Sequence, residues 1–443
     1  MKTIQLSDHF TYSRLLRFVM PSIIMMLFTS VYGVVDGIFV SNLVGKTAFA
    51  AVNLIWPVVM MLGTLGFMFG AGGSALVAKI MGEGDSRYAN RIFSMLVYSS
   101  AMIGTIFSVL GVLGIETIVK WLGAEGQLAE DCICYGRILF PATAFFILQN
   151  EFQNFLVVAQ QPKLGLWASI WAGVANIFFD WLFIGVFHWG IGGAALATGL
   201  SQVVGAVIPL WYFLFCKNSV LKLGKTRLYG KAFVKACTNG ASEMLTNISL
   251  SLVNILYNFQ MMRFAGENGV SAYGVMMYVN FLFISVFLGY SIGVSPIISY
   301  HYGAKNQAEL QNLFRKSMVI LAFCSVGMFL GSELLSRPLS RIYVGYDEAL
   351  YQLTCRGFLI YAVSFLFSGV NIFSSAFFTA LNNGFVSAVL SFSRTLVLQS
   401  ICVVVLPIFW ELDGVWSTIV VAECLALVMS LGCFRGFKKR YGY

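Results

Sequence analysis

Apolar residues run through this chain in blocks of about twenty, separated by short polar stretches, and a helix of that length crosses a hydrocarbon layer of roughly 30 Å. The blocks lie near residues 15–40, 47–72, 92–114, 133–158, 165–187, 190–216, 236–261, 270–299, 317–334, 353–381, 385–409 and 413–434, which predicts twelve transmembrane helices. The most polar interior stretch, Lys217 to Lys235, falls near the midpoint and predicts a cytoplasmic basic linker. It divides an N-terminal six-helix bundle (1–216) from a C-terminal one (236–443). Sliding the chain by 221 residues lays Gly45 on Gly266, Ala51 on Ala272, Gly72 on Gly293, Ser74 on Ser295, Gly82 on Gly303, Phe93 on Phe314, Ala159 on Ala380 and Gly193 on Gly414. Six is an even number, so the halves share one orientation, a parallel pseudo-two-fold repeat about an axis along the membrane normal. The expected fold class is therefore an all-α polytopic membrane protein with a cleft between two bundles.

Composition sharpens this. Of the 443 residues 58% are hydrophobic and 11% charged, against roughly 25% charged in a soluble domain, so a soluble enzyme is excluded. The net charge of +9 would suit a nucleic-acid binder, but the basic residues sit in short loops and tails. With both termini placed in the cytoplasm, the inner segments hold 20 of the 28 basic residues, while the outer loops carry acids such as Glu125 to Asp131 and Asp347-Glu348. No nucleic-acid partner is expected. Cysteines lie mostly within apolar blocks (Cys216, Cys237, Cys324, Cys402, Cys424, Cys433), a reduced packing usage, and Cys132 and Cys134 are too close for a zinc knuckle. No signal peptide is expected, because the first block is too long and lacks a small-residue cleavage site. The 43 glycines suit close helix packing, and without a G-x-x-x-x-G-K-[ST] pattern ATP does not drive this chain.

A carboxylate inside a span costs at least about 2.5 kcal/mol, so each needs a reason. Five qualify: Asp36, Glu151, Asp180, Glu243 and Glu423. Depth along the predicted helices puts Asp36, Asp180, Asn176, Thr198, Tyr32 and Tyr135 in one stratum of the first half, with Asn176 one turn from Asp180 and Tyr32 one turn from Asp36. Two acids, an amide, a hydroxyl and two phenols at one depth suit a proton or cation site. Offset by 221, the second half has Tyr257 and Ile401 in place of the two aspartates, so coupling is expected in the first half alone. Glu151 and Glu423 lie nearer mid-membrane, either facing the cleft to attract a cation or paired with a base such as Arg394. Glu243 is expected at the inner surface, as a salt bridge, a cap or an inner gate. Met60, Met61, Met276, Met277, Tyr278 and Phe281 suit a greasy cleft for flat cations through cation–π and sulfur contacts.

The stretch from Val34 through Asp36 to Ser41, then Val44-Gly45, Ala48 to Asn53, Gly70 to Ser74 and Met81 to Asp85, resembles the start of a multidrug and toxic compound extrusion (MATE) transporter. Length, span number and the 6+6 repeat agree, and within that family the sequence is most similar to the MepA-like bacterial branch. The resemblance implies a first-half pocket of Asp36, Asn176, Asp180 and Thr198, which would also be the ligands if Na⁺ is the coupling ion. It implies Tyr32 and Tyr135 as pocket tyrosines, Gln153 as a cleft amide, and Pro21 as the point where helix one bends with ion state. The acidic pair that some members carry on helices seven and eight has no match in Asn247 to Ser251 or Tyr278 to Phe281.

The implied activity is antiport by alternating access: organic cations or amphipathic drugs leave in exchange for H⁺ or Na⁺. No cofactor is expected. The setting is a bacterial cytoplasmic membrane with both termini inside, and the protein is expected to work as a monomer in the lipid bilayer. A lipid-linked oligosaccharide flippase of the same superfamily is the alternative, but it calls for a basic cavity where this chain has acids. A membrane-embedded protease or acyltransferase would need a catalytic histidine, a Ser/His pair or two acids in a recognised protease motif; His9 and His301 fall at cytoplasmic surfaces and His188 in an outer loop, so the histidine route is poorly supplied. A channel would show a repeated filter segment, and none is present.

Overall fold

The computed structural model describes residues 4–216, 219–345 and 347–443. These residues trace twelve helical rods. α1 (Tyr12–Phe39) ends in a π turn, Val40–Val44. α2 runs over Lys46–Met68, passes a π turn at Phe69–Gly73 and continues through Ser74–Gly82. α3 is Ser86–Trp121, and α4 joins Gly126–Leu139 to Thr143–Val158 through a tighter turn, Phe140–Ala142, that contains Pro141. α5 (Pro162–Asp180) is followed by a π turn, Trp181–Val186, and α6 is Gly190–Phe215.

Helical hydrogen bonding then runs over Gly230–Gly303, but Gly266 (φ 59°, ψ −148°) splits it into α7 (230–265) and α8 (267–303). α9 is Gln307–Val344, and α10 joins Glu348–Ala362 to Phe365–Ala380 with a bend of 52°. α11 opens at Gly384–Phe392, passes a π turn at Ser393–Leu398 and ends where Glu411 (φ 48°, ψ −127°) breaks the rod, leaving α12 at 412–441.

Nine stretches of the described residues are long and apolar enough to cross a membrane, ten if the bent α10 counts as one. The count falls short of the rods for two reasons. α11 and α12 form a single stretch, Gly384–Tyr441, and α7 is not among the stretches that qualify. α7 carries Asn239, Glu243, Asn247, Asn254, Asn258 and Gln260, so hydropathy alone understates it. The rods also overrun the apolar blocks, α3 at both ends and α9 by about ten residues each way. Hydropathy marks the part in hydrocarbon, while the backbone stays helical through interfacial residues such as Arg87, Arg91, Arg315 and Lys316. For the same reason α7 begins at Gly230, which puts Lys231 and Lys235 on a helix. The remaining linker lies along α3, with the Lys222 amide donating to Asn90 Oδ1 (2.6 Å), the Gly224 amide to Ser94 Oγ (3.0 Å) and Thr226 Oγ1 to the Arg91 carbonyl (2.7 Å).

Backbone geometry repeats between halves. Left-handed residues stand at Gly45 and Gly266, Gly84 and Lys305, Gln160 and Asn382, and Gly190 and Glu411, each pair 221 or 222 residues apart. Asp85 caps α3 through the Tyr88 amide (2.9 Å), and Asn306, 221 residues on, caps α9 through the Glu309 amide (3.1 Å).

Packing is asymmetric along the membrane normal. At the end remote from the termini, one buried cluster (with Val40, Ala51, Tyr135, Ile184 and Ala194) comes wholly from the first half, and another (with Tyr257, Met276, Phe358, Val403 and Trp416) wholly from the second. At the terminal end the clusters are shared: Phe10, Phe18 and Val19 pack with Phe287, Tyr290 and Phe377, and Phe69 and Ile80 pack with Ala232 and Ala236. Glycines make this seam. A methyl group at Gly82 would stand 2.0 Å from the Tyr300 carbonyl oxygen, and one at Gly303 would stand 2.0 Å from that of Lys79. Gly240 and Met68 O (1.9 Å), Gly72 and Ala236 O (2.2 Å), and Gly289 and Ser22 O (2.7 Å) repeat the pattern. Helices meet backbone to backbone here, as membrane packing favours where small residues replace a hydrophobic drive.

Candidate functional site

The residues expected to form a first-half pocket lie on α1, α4, α5 and α6. Gly173 on α5 lacks a side chain where one would lie 2.6 Å from Phe28 and 3.2 Å from Tyr32, so both α1 rings settle onto α5 there. α1 and α5 run the same way, so the turns that follow bring residue 36 of α1 to the level of Asn176 and Asp180 on the same α5 face. The Asp36 side chain lies outside the described residues. Asn176 and Asp180 are buried, at 2% and 0% exposure, and Asp180 ends the regular helix just before the π turn. That π turn touches the one closing α1, and such local widening is frequent at functional sites.

Tyr135 is buried in the cluster that holds Val40 of α1, Ile184 of α5 and Ala194 of α6. Thr198 is buried on α6, its hydroxyl donating back to the Ala194 carbonyl at 3.0 Å. The structure thus gathers the α1, α4, α5 and α6 contributors about one region. Asn176, Asp180, Thr198 and Tyr135 are all buried and carry oxygen atoms.

Of the residues expected in the cleft, Met61, Tyr278 and Phe281 are exposed, at 61%, 47% and 48%. Met60 and Met277 are half-buried at the edges of the two outer clusters, and Met276 is a core residue at 1% exposure. Gln153 is half-buried between α4 and α5, its Nε2 3.5 Å from Ser169 Oγ. Pro21 lies within an unbroken α1.

The two mid-membrane glutamates separate. Glu151 is fully buried on α4, its backbone against Gly70 of α2 and the Ser100 hydroxyl near it, outside hydrogen-bond geometry. Neither of its carboxylate oxygens has a hydrogen-bond partner among the described residues. Glu423 is held from two sides, by Arg394 Nε at 2.9 Å and Asn371 Nδ2 at 2.7 Å. Ser430 Oγ donates to Asn371 Oδ1 (3.0 Å) and lies 2.9 Å from Ser374 Oγ, which completes a polar network inside the second half. Glu243 is half-buried on α7 and forms no salt bridge among the described residues.

Sequence reasoning named Arg394 only as a partner and missed Asn371, Ser374 and Ser430. It also missed the hydroxyl ladder of Ser375, Thr379, Ser387 and Ser391 that ties α10 to α11 at 2.6–2.9 Å. The available signal was the spacing, since hydroxyl residues recur four apart on both helices.

Comparison with known proteins agrees with this architecture. The MatE family profile matches residues 21–182 and again residues 243–405, more than half of the chain. The multidrug export protein MepA of Staphylococcus saprophyticus is 24% identical over 434 residues, covering 95% of this chain and 93% of that protein. Among solved structures, a MATE protein in complex with MaL6 superposes with a TM-score of 0.94 at 22% identity, over 100% of this chain and 99% of the other. The outward-facing conformation of a multidrug resistance MATE family transporter of the MOP superfamily gives 0.93 at 22% identity and the same coverage. This protein, a multi-span helical membrane protein by its own structure, belongs to the MatE family of transporters.

Proposed function

We propose that this transporter is a drug exporter of the MepA kind, moving cationic or amphipathic compounds out of the cell in exchange for H⁺ or Na⁺. All twelve rods span the membrane, as a 1–216 bundle and a 236–443 bundle joined by the basic linker and related by a parallel pseudo-two-fold axis. The doubled family match, the recurring left-handed turns and the reciprocal Gly82–Tyr300 and Gly303–Lys79 contacts support that repeat. Basic residues at the terminal end make that end cytoplasmic, in the plasma membrane of a bacterium.

The observation that carries the reading is the asymmetry of packing. The halves are joined at the terminal end and carry separate cores at the other, the form of an outward-open state. Substrate sits between the halves against exposed groups such as Met61, Tyr278 and Phe281. H⁺ or Na⁺ from outside enters the pocket of Asp36, Asn176, Asp180 and Thr198, with Tyr32 and Tyr135 beside it, and draws α1 at Pro21 into a new packing. The ion drives the cycle only through its different affinity for the two states. A single chain holds the whole pathway, so a monomer suffices.

The test is purified protein in liposomes loaded with ethidium and challenged separately with a pH gradient and a Na⁺ gradient. One gradient is expected to drive transport in the wild type. Asp36→Asn and Asp180→Asn are expected to remain folded in the membrane and to abolish gradient-driven transport. Wild-type export by either variant would sink the mechanism.

A further inference from the structure

Where α1 and α5 run side by side near the terminal end, they leave a groove of about 510 Å³ on the outer surface of the first half. Its body is apolar, formed by Leu16, Met20, Ile24, Leu166 and Trp167, with Pro21 among the lining residues. Arg17 and Lys163 also line it, and both are exposed. Both helices start at the terminal end, so Arg17 and Lys163 mark the edge of the groove nearest that end. Ile24 lies about 10 Å and Trp167 about 6 Å further into the membrane, at 1.5 Å per residue. Neither basic residue takes part in an ion pair among the described residues.

We infer that this groove binds one anionic phospholipid of the leaflet at the terminal end. Arg17 and Lys163 hold its phosphate, and the upper part of an acyl chain lies along Met20, Ile24 and Trp167. Three features select this occupant. A basic pocket between transmembrane helices on the cytoplasmic side is a headgroup site by its charge. A free phosphate would leave the apolar length empty. A cationic drug would meet two uncompensated positive charges. The site has a mechanical consequence, because the same α1 segment presents Val19, Ser22 and Ile23 to Gly289 and Gly293 of α8 on its other face. A lipid seated at Pro21 therefore braces α1 from behind while the seam is closed.

Delipidated protein is titrated with phosphatidylglycerol or phosphatidylcholine of identical acyl chains, and bound lipid is counted by native mass spectrometry. The wild type is expected to prefer phosphatidylglycerol. Each basic residue contributes roughly fivefold to affinity for anionic lipid, so Arg17→Gln with Lys163→Gln lowers that preference about 25-fold, while Lys438→Gln with Lys439→Gln preserves it. Equal binding of the two lipids, or equal loss in the control pair, overturns the proposal. So does glycerol phosphate that competes as well as whole lipid, which would reveal a phosphate site without a lipid. In a second measurement, phosphatidylglycerol brominated on its acyl chain quenches tryptophan fluorescence. Trp167→Phe is expected to remove the saturable part of that quenching, and its persistence in the variant also overturns the assignment.

Discussion

Replacing Gly303 with alanine tests the seam at its tightest point. The added methyl would stand 2.0 Å from the Lys79 carbonyl oxygen, at least about 1.4 Å short of an ordinary contact. The clashing atoms are backbone on both sides, also 2.8 Å from Lys79 C and 3.0 Å from its Cα, so no side-chain rotation relieves them. α2 and α8 must part, and overpacking of this kind costs about 1–3 kcal/mol. The cost falls on the state in which the terminal-end seam is shut, because the proposed alternating-access cycle separates these residues in the other state. The equilibrium is therefore expected to shift by about 5- to 150-fold toward a parted seam. Spin labels at exposed Arg87 and Ala308, in a cysteine-free background, report the distance across the seam. Gly303→Ala should add a longer-distance population and slow ethidium export. Gly327→Ala, where a methyl meets nothing within 4 Å, should change neither. A Gly303→Ala distance distribution matching that of Gly327→Ala, with normal export, would refute the claim that backbone contact at this seam sets the conformational balance.

Two further outcomes follow from single residues. Arg394→Gln strands the Glu423 carboxylate at 1% exposure and is expected to lower stability by about 3–5 kcal/mol, whereas Arg394→Gln with Glu423→Gln recovers most of it. Heating in detergent with a thiol-reactive dye, which reports release of buried Cys132 and Cys402, measures both, and equal destabilisation by the single and double variants would contradict the pairing. Glu411 occupies a left-handed backbone at φ 48°, ψ −127°, where its repeat partner is Gly190. Glu411→Gly is expected to raise stability by about 1 kcal/mol in the same assay, and a fall would show that the side chain is worth more than the strain it causes.

The helices and the family were legible in the sequence because each rests on quantities local to the chain. Twenty apolar residues in a row cross a bilayer wherever they pack, and a motif such as Val34 to Ser41 is contiguous. The placing of Asn176 and Asp180 one turn apart on one helix was legible too, since it follows from residues per turn. The azimuth of each helix was not, and azimuth decides partners. Only the packed structure turned Glu423 toward Arg394 and Asn371, sank Met276 into the second-half core and enclosed Glu151 beside α2 and α3. The 43 glycines announced close packing in general. Which of them meet across the halves depends on how two six-helix bodies lean together, and no local property of the chain encodes that angle. The sequence alone thus determined a transporter of twelve predicted helices, and tertiary packing decided at which end the halves join, which acids are paired and where the α1–α5 groove opens.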